Sequence, residues 1–419
     1  MITDVLVYVS IDDQDIRAGH LYSHRRRGSE SASFSYDAQY LARPDAYALD
    51  PQLPLLAGTQ QTAVGLALFP AFADSSPDRW GRNLIQRRER LRARTEGRTD
   101  RSYGEFDLLL GVRDDLRQGA LRFRANSVGP FLATETDGVP LLTDLPGLLS
   151  AADRLDAETA DRADLALLVR AGSSLGGARP KAHVLDAAGR LAIAKFPSPS
   201  SDHWNVMAWE RTALELAQIA GIHVPDSHVV PIGGRDVLVI DRFDRSDGHR
   251  IGYASALTML EARDGDLRSY LDIAAVVEER SGAATSELEQ LWRRIAFSVL
   301  ISNTDDHLRN HGFLHRTGDV WELSPAFDLN PNPDAGPKHL ATAIDEHNTT
   351  ASIDVVMDVA PLFRLQEDRA RHVLTQVVRA CDRWSLVATQ NGLSRRDIEG
   401  MANAFEHPQM TRARSRISA

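Results

Sequence analysis

The chain has a single cysteine, Cys381, among its 419 residues, so no disulfide can form within it, and a reducing compartment suits it. It has no apolar run near the roughly 20 residues that a bilayer-crossing helix requires. Its first residues, Met1-Ile2-Thr3-Asp4-Val5-Leu6-Val7-Tyr8-Val9, lack the basic start and long apolar stretch of a secretory signal and alternate as a strand does. A cytoplasmic protein without membrane attachment is the expectation. Positive charge is outnumbered, with 48 Lys and Arg against 58 Asp and Glu: the net charge is −10 and the pI near 5.8, which argues against binding nucleic acid by bulk electrostatics. Neither a Walker A loop nor the Rossmann glycine pattern occurs. No internal repeat or low-complexity segment is found. What is present is ordinary globular composition, 43% hydrophobic and 25% charged, in a chain long enough for about two or three domains.

Periodicity divides the chain into a mixed front part and a more helical rear. Residues 1–135 hold short alternating strands near 5–11, 20–23 and 120–124, and a helix for which Ser76 is the expected N-cap with Pro77 in the first turn. From 136 to 245, a helix near 157–170, a strand pair around 182–196, a helix over 203–220 and a strand at 237–240 are expected. Residues 246–419 read as mainly helical, with Leu288, Leu291, Ile295 and Val299 at helical spacing over 286–301.

That last helix runs into Ile301-Ser302-Asn303-Thr304-Asp305-Asp306-His307-Leu308-Arg309-Asn310-His311-Gly312. Asp305 and Asn310 have the spacing of a kinase catalytic loop, in which the Asp orients the substrate hydroxyl and the Asn holds magnesium. A solvated turn, which Asn, Asp and Gly favour, accounts for the pair taken alone. Downstream, a short hairpin is expected over 312–323, with its turn at Thr317-Gly318-Asp319. It would return Ser324-Pro325-Ala326-Phe327-Asp328 toward Asn310, so that Asp328 could share a cation. Magnesium takes such hard oxygen donors together with phosphate and water.

Two upstream segments supply what phosphate binding needs. Leu191-Ala192-Ile193-Ala194-Lys195 places Lys195 at the end of an apolar strand, with Glu210 on the next helix as a possible ion-pair partner. Gly172-Ser173-Ser174-Leu175-Gly176-Gly177-Ala178-Arg179-Pro180-Lys181 is a glycine-rich loop whose amides could approach phosphate oxygens beside two cationic side chains. A flexible linker has similar composition.

Together, residues 174–181, Lys195, the run from Thr304 to Asn310 and Ser324-Pro325-Ala326-Phe327-Asp328 resemble the HipA family of serine/threonine kinase toxins in bacterial toxin-antitoxin pairs. Phe69-Pro70-Ala71-Phe72-Ala73-Asp74-Ser75-Ser76-Pro77-Asp78-Arg79-Trp80-Gly81-Arg82 resembles the family's N-terminal signature, so the likeness covers nearly the whole chain. It implies an α+β fold: a small N-terminal α+β subdomain (1–135), a kinase N-lobe (136–245) and a helical C-lobe (246–419), bilobal and protein-kinase-like. It also implies ATP and Mg2+ as cofactors. Asp305 would be the catalytic base and Asn310 and Asp328 the metal ligands, with Gly176, Gly177, Ala178, Arg179, Lys181, Lys195 and His307 around the nucleotide. Asp241 and Phe243 would lie at the adenine hinge. The resemblance makes Ser174 the autophosphorylated loop serine, although Ser173 beside it leaves the position open by one residue. Arg179-Pro180 departs from the best-known loop. The implied partners are a helix-turn-helix, HipB-like antitoxin, through which DNA would be met indirectly, and a protein substrate such as an aminoacyl-tRNA synthetase. The alternative is a kinase-like binding module that serves mainly as antitoxin partner and co-repressor.

Other clusters carry less. His307, His311 and His315 would line one face of a continuous helix and could hold zinc, but Gly312 and the strand-like Phe313-Leu314 argue against such a helix. Arg25-Arg26-Arg27 and the run from Arg87 to Arg94 could meet phosphates, although solvated basic faces explain them, since Glu89 and Glu96 dilute the second. Asp345-Glu346-His347-Asn348 reads as a loop.

Overall fold

The computed structural model describes residues 2–26, 28–134, 138–172 and 179–418. The chain forms two compact units, and each is discontinuous in sequence.

The first unit comprises Met1–Ser201, Asp241–Ala254 and Leu314–Asp319. Its antiparallel sheet contains β1 (Asp4–Ile11), β2 (Gln14–Arg26), β3 (Ser29–Tyr36), β4 (Thr59–Gln61) and β5 (Leu121–Arg124), in the order β4-β3-β2-β1-β5. Val5, Val7 and Val9 alternate into the core, as their period-2 spacing predicts. Asp12 and Asp13 both take positive φ, 43° and 66°, and so supply the two-residue turn whose twist matches its strands. Gly19 is required by close approach: a Cβ there would lie 2.3 Å from the Ser35 carbonyl oxygen.

Helix α1 (Arg79–Thr95) begins two residues later than Ser76 capping would give. Asp78 is the cap, its carboxylate accepting the Gly81 N–H at 2.7 Å while it also receives Lys181 at 2.6 Å, an ionic partner that a serine hydroxyl would not hold. The Ser76 hydroxyl instead donates back to the Phe72 carbonyl. The helix expected near 157–170 is also corrected. Two helices, α2 (Leu145–Asp156) and α3 (Arg162–Arg170), are separated by a break in which Glu158 takes φ 59°, and Asp161 and Asp164 form a capping box that restarts the helix. Then β6 (Lys181–Leu185) and β7 (Leu191–Lys195) pair antiparallel, with Lys181 opposite Lys195.

Buried arginines join the segments of this unit. Arg117 donates to the carbonyls of Ser75, Leu109 and Val112, while Arg242 pairs with Asp244 and donates to the Leu116 carbonyl. Asp244 in turn accepts the Gly119 N–H.

The second unit comprises Asp202–Ile240, Ser255–Phe313 and Val320–Ala419. It contains α4 (Val206–Ile219), the antiparallel pair β8 (Ser227–Ile232) and β9 (Arg235–Asp241), α5 (Tyr270–Arg280) and α6 (Ala284–Leu300). β10 (Gly312–Thr317) starts here and from Leu314 belongs to the first unit; β11 (Val320–Leu323) is again in the second, which continues into α7 (Glu367–Cys381), α8 (Trp384–Gln390), α9 (Arg395–Phe405) and α10 (Pro408–Ser418). Leu288, Leu291, Ile295 and Val299 are all buried, and Trp292 on the same helix donates its indole N–H to the Val356 carbonyl at 2.8 Å. No helix among the described residues is long and apolar enough to cross a membrane.

Candidate active site

Helix α6 ends at Leu300, and Ser302 turns the chain with φ 54°. From Thr304 the side chains alternate in exposure along two tight turns, one closed by the His307 N–H on the Asp305 carbonyl at 3.0 Å and one by the Asn310 N–H on the His307 carbonyl at 2.8 Å. Asp305, His307 and Arg309 are exposed, while Asp306, Leu308 and Asn310 are buried. The neighbouring aspartates therefore face different surroundings.

Asp306 is 4% exposed. Its Oδ2 accepts the Tyr270 hydroxyl at 2.5 Å and the Ser298 hydroxyl at 3.1 Å, and its Oδ1 stands 3.1 Å from His311 Nε2. Burial alone would lift this carboxyl, but His311, Tyr270 and Ser298 outweigh it and hold it below the ordinary carboxylate range. Its carbonyl accepts the Thr342 hydroxyl at 2.7 Å.

Asp305 shows the opposite shift. Partial desolvation raises its carboxyl, Asp328 and Asp306 raise it further as like charges, and His307 pulls it back. Asn310 reaches this loop by donating its side-chain N–H to the Asp305 carbonyl at 3.0 Å, which leaves its amide oxygen as an acceptor. Asp328 is reached as the expected hairpin path implies: the Ser324 N–H donates to the Gly312 carbonyl at 2.8 Å. Asp328 has φ 58°, a left-handed conformation that aspartate tolerates better than most residues, and its carboxylate accepts the Asn330 side chain at 3.1 Å. Asp305, His307, Asn310 and Asp328 thus come together in the second unit. Two carboxylates and an amide oxygen are hard donors of the kind that magnesium takes, with phosphate and water completing its shell.

The first unit carries the remaining described candidates. Lys195 closes β7, half-buried, and Arg179 is half-buried as well. Lys181 is 3% exposed and donates to Asp78 at 2.6 Å, while its carbonyl accepts the Trp80 indole N–H at 3.2 Å. Asp241 lies 3.4 Å from Arg190, and Phe243 packs against Tyr253 with ring centroids 6.3 Å apart. Ser173, Ser174, Gly176, Gly177 and Ala178 lie outside the described residues. Glu210, on α4 of the second unit, is buried.

The histidine series is not a helical face. A 3-10 turn (Leu308–Asn310) separates His307 from His311, and His315 lies on β10, its ring stacked on Tyr47 at 3.6 Å between centroids. Among the described residues no group of three or more His, Cys, Asp and Glu side chains is placed to hold a metal. The sequence reading missed Tyr270, Ser298 and Thr342, whose link to the loop exists only through folding.

Known proteins share this organisation. Residues 173–385 match the HipA-like C-terminal domain and residues 9–124 the HipA N-terminal domain. Over 146 residues the chain is 27% identical to "Putative kinase Y4dM" of Sinorhizobium fredii, covering 31% of this chain and 35% of that protein. Over 155 residues it is 24% identical to "Putative kinase" of Haemophilus influenzae, covering 32% and 45%. The chain thus spans less than half the length of these curated relatives. Among solved structures it resembles a chain of the Shewanella oneidensis MR-1 toxin-antitoxin complex of HipA, HipB and operator DNA, with TM-score 0.67 and 16% identity over 99% of this chain and 96% of that one. That likeness establishes a mixed helix-and-sheet fold of the HipA type. With the C-terminal domain match spanning just over half of its residues and the N-terminal match preceding it, the chain belongs to the HipA family.

Proposed function

We propose that this chain is an ATP- and magnesium-dependent serine/threonine protein kinase acting as the toxin of a toxin-antitoxin pair. The observation that carries the reading is the grouping of Asp305, Asn310 and Asp328 on one loop system. There Asp305 is exposed to an incoming hydroxyl and its carboxyl is raised by partial desolvation and by Asp328. A carboxylate shifted upward is a better proton acceptor for a substrate hydroxyl than an ordinary one. Asp305 orients that hydroxyl and takes its proton, while Asn310 and Asp328 hold the metal. A bound magnesium ion supplies charge neutralisation on the phosphoryl oxygens. The resemblance supports Lys195, Arg179 and the 176–178 segment for the nucleotide phosphates, His307 beside them, and Asp241 and Phe243 for the adenine end, whereas Lys181 is taken up by Asp78.

The resemblance further supports autophosphorylation at Ser174 or Ser173 and a translation component such as an aminoacyl-tRNA synthetase as substrate. The Shewanella complex, which includes HipB and operator DNA, supports a HipB-like helix-turn-helix antitoxin as partner, with DNA met through it. The same complex favours the second reading, a kinase-like module acting mainly as co-repressor. Incubation with labelled ATP and magnesium, followed by mass spectrometry of the chain, separates the two. Asp305→Asn is expected to reduce phosphoryl transfer by about 10²- to 10⁴-fold, the usual contribution of a positioned base, with nucleotide binding retained. Full activity in that variant sinks the assignment of Asp305 as the base, and a parent that transfers no phosphate sinks the kinase reading.

A further inference from the structure

Consecutive aspartates in a catalytic segment invite the reading that both serve chemistry, but burial separates them. Asp306 is 4% exposed and its carboxylate is engaged by three side chains: Tyr270 from α5, Ser298 from α6, and His311, which follows the 3-10 turn. Its main chain is held too, because Thr342 donates to the Asp306 carbonyl at 2.7 Å. One residue earlier, the Thr304 carbonyl accepts the Ala341 N–H at 3.0 Å and the Thr304 hydroxyl accepts the Asn332 amide at 3.0 Å. The main chain of the residue before Asp305 and of the residue after it is therefore tied to the segment after Asp328.

We infer that Asp306 is the positioning residue of this site. Through Tyr270, Ser298, His311 and Thr342 it fixes the backbone from which Asp305 projects, and it holds the metal-ligand segment and the catalytic loop in one register. The inference rests on the kinase reading of Asp305. The physical argument is directional. The His307 N–H donates to the Asp305 carbonyl at 3.0 Å, a tight turn centred on Asp306, so anchoring Asp306 inward fixes the turn from which the exposed Asp305 projects. A carboxylate accepting hydrogen bonds from two different helices defines that anchor more tightly than apolar packing does, because each bond constrains angle as well as distance. A base misplaced by about 1 Å costs on the order of 10²-fold in rate.

The test compares Asp306→Ala, Asp306→Asn and the double variant Tyr270→Phe/Ser298→Ala with the parent and with Asp305→Asn. Each full-length protein is assayed for ATP-dependent phosphorylation with magnesium and for nucleotide binding. Asp306→Ala is expected to lower kcat about 10²-fold with KM for ATP within about twofold, and Asp306→Asn, which keeps one acceptor oxygen, to recover about tenfold of that loss. The double variant leaves the carboxylate in place, and a kcat loss there with unchanged KM supports the same anchor even if Asp306→Ala fails to fold. Parent-like kcat in Asp306→Ala and the double variant, with Asp305→Asn inactive, overturns the inference and leaves the kinase reading intact. A loss that falls on KM alone overturns it as well. An active Asp305→Asn protein refutes the role of Asp305 on which the inference rests, and a parent without activity refutes the kinase reading itself.

Discussion

The Asp78→Ala substitution gives the sharpest stability test, because it removes two defined interactions at once. The Asp78 carboxylate receives Lys181 at 2.6 Å and the Gly81 N–H at 2.7 Å, and both charged side chains are under 5% exposed. Deleting one member of a buried ion pair costs roughly 3–5 kcal/mol, because the other charge stays buried without its counterpart. Loss of an N-cap adds about 1 kcal/mol. The expected destabilisation is thus about 5 kcal/mol, a large share of the roughly 5–15 kcal/mol that holds a typical domain folded.

Lys181→Met is expected to cost less and to depend on pH. Burial already pushes the Asp78 carboxyl above its ordinary value against the pull of Lys181, so without the lysine it rises further and protonates readily. An acid whose folded pKa is raised is most favourable below its unfolded value of 3.8, and the advantage is lost as pH rises through the folded pKa. The Lys181→Met defect should therefore shrink on acidification. Asp78→Leu/Lys181→Met, an apolar pair of similar volume, should lie within about 1 kcal/mol of the parent. Urea denaturation followed by circular dichroism measures the change, and hydrogen exchange at the Gly81 amide localises it to the start of α1. A cost below about 1 kcal/mol for Asp78→Ala, or a double variant as unstable as the single, refutes the reasoning.

Two pH predictions follow from the shifted carboxyls. Asp305 acts ionised, and its raised pKa places the acid limb of the phosphorylation rate above the ordinary aspartate range. His307→Ala, which removes the group that lowers it, should move the limb to still higher pH, and a limb that moves down contradicts the assigned base. Glu89 is held down to about 2, chiefly by Arg98 and further by the Arg101 N–H and Tyr103, so its stabilisation is present above its unfolded value of 4.5 and is lost as pH falls toward 2. Thermal unfolding of Glu89→Gln across that interval should show a flatter pH dependence than the parent; an unchanged slope argues against it.

Much of this was legible because it is local. The alternation of Val5, Val7 and Val9, the helical spacing of Leu288 to Val299 and the turn at Thr317-Gly318-Asp319 depend on neighbours in sequence, and the corresponding elements form. Helix starts were less legible. Ser76, Pro77 and Asp78 all suit the entry to α1, and the choice of Asp78 follows from Lys181, 103 positions away. The break at Glu158 likewise needed the Asp161–Asp164 box, which composition alone does not distinguish from a continuing helix. At the candidate site, spacing singled out Asp305, Asn310 and Asp328 for the proposal, but no periodic signal distinguishes Asp306, whose partners Tyr270 and Thr342 are each 36 positions distant.

The hydrogen bonds that link Arg242, Asp244 and Arg250 with residues 114–119 bear on the order in which the chain can fold. The N-terminal sheet and α1 emerge from the ribosome well before these residues exist, so Leu116, Gly119 and Asp114 wait for partners about 125 to 136 positions later. Contacts of such separation form slowly, because a long loop must close before they are rewarded. A nascent chain halted before residue 241 therefore exposes polar backbone that the finished protein buries, and the first unit matures only after part of the second has been synthesised.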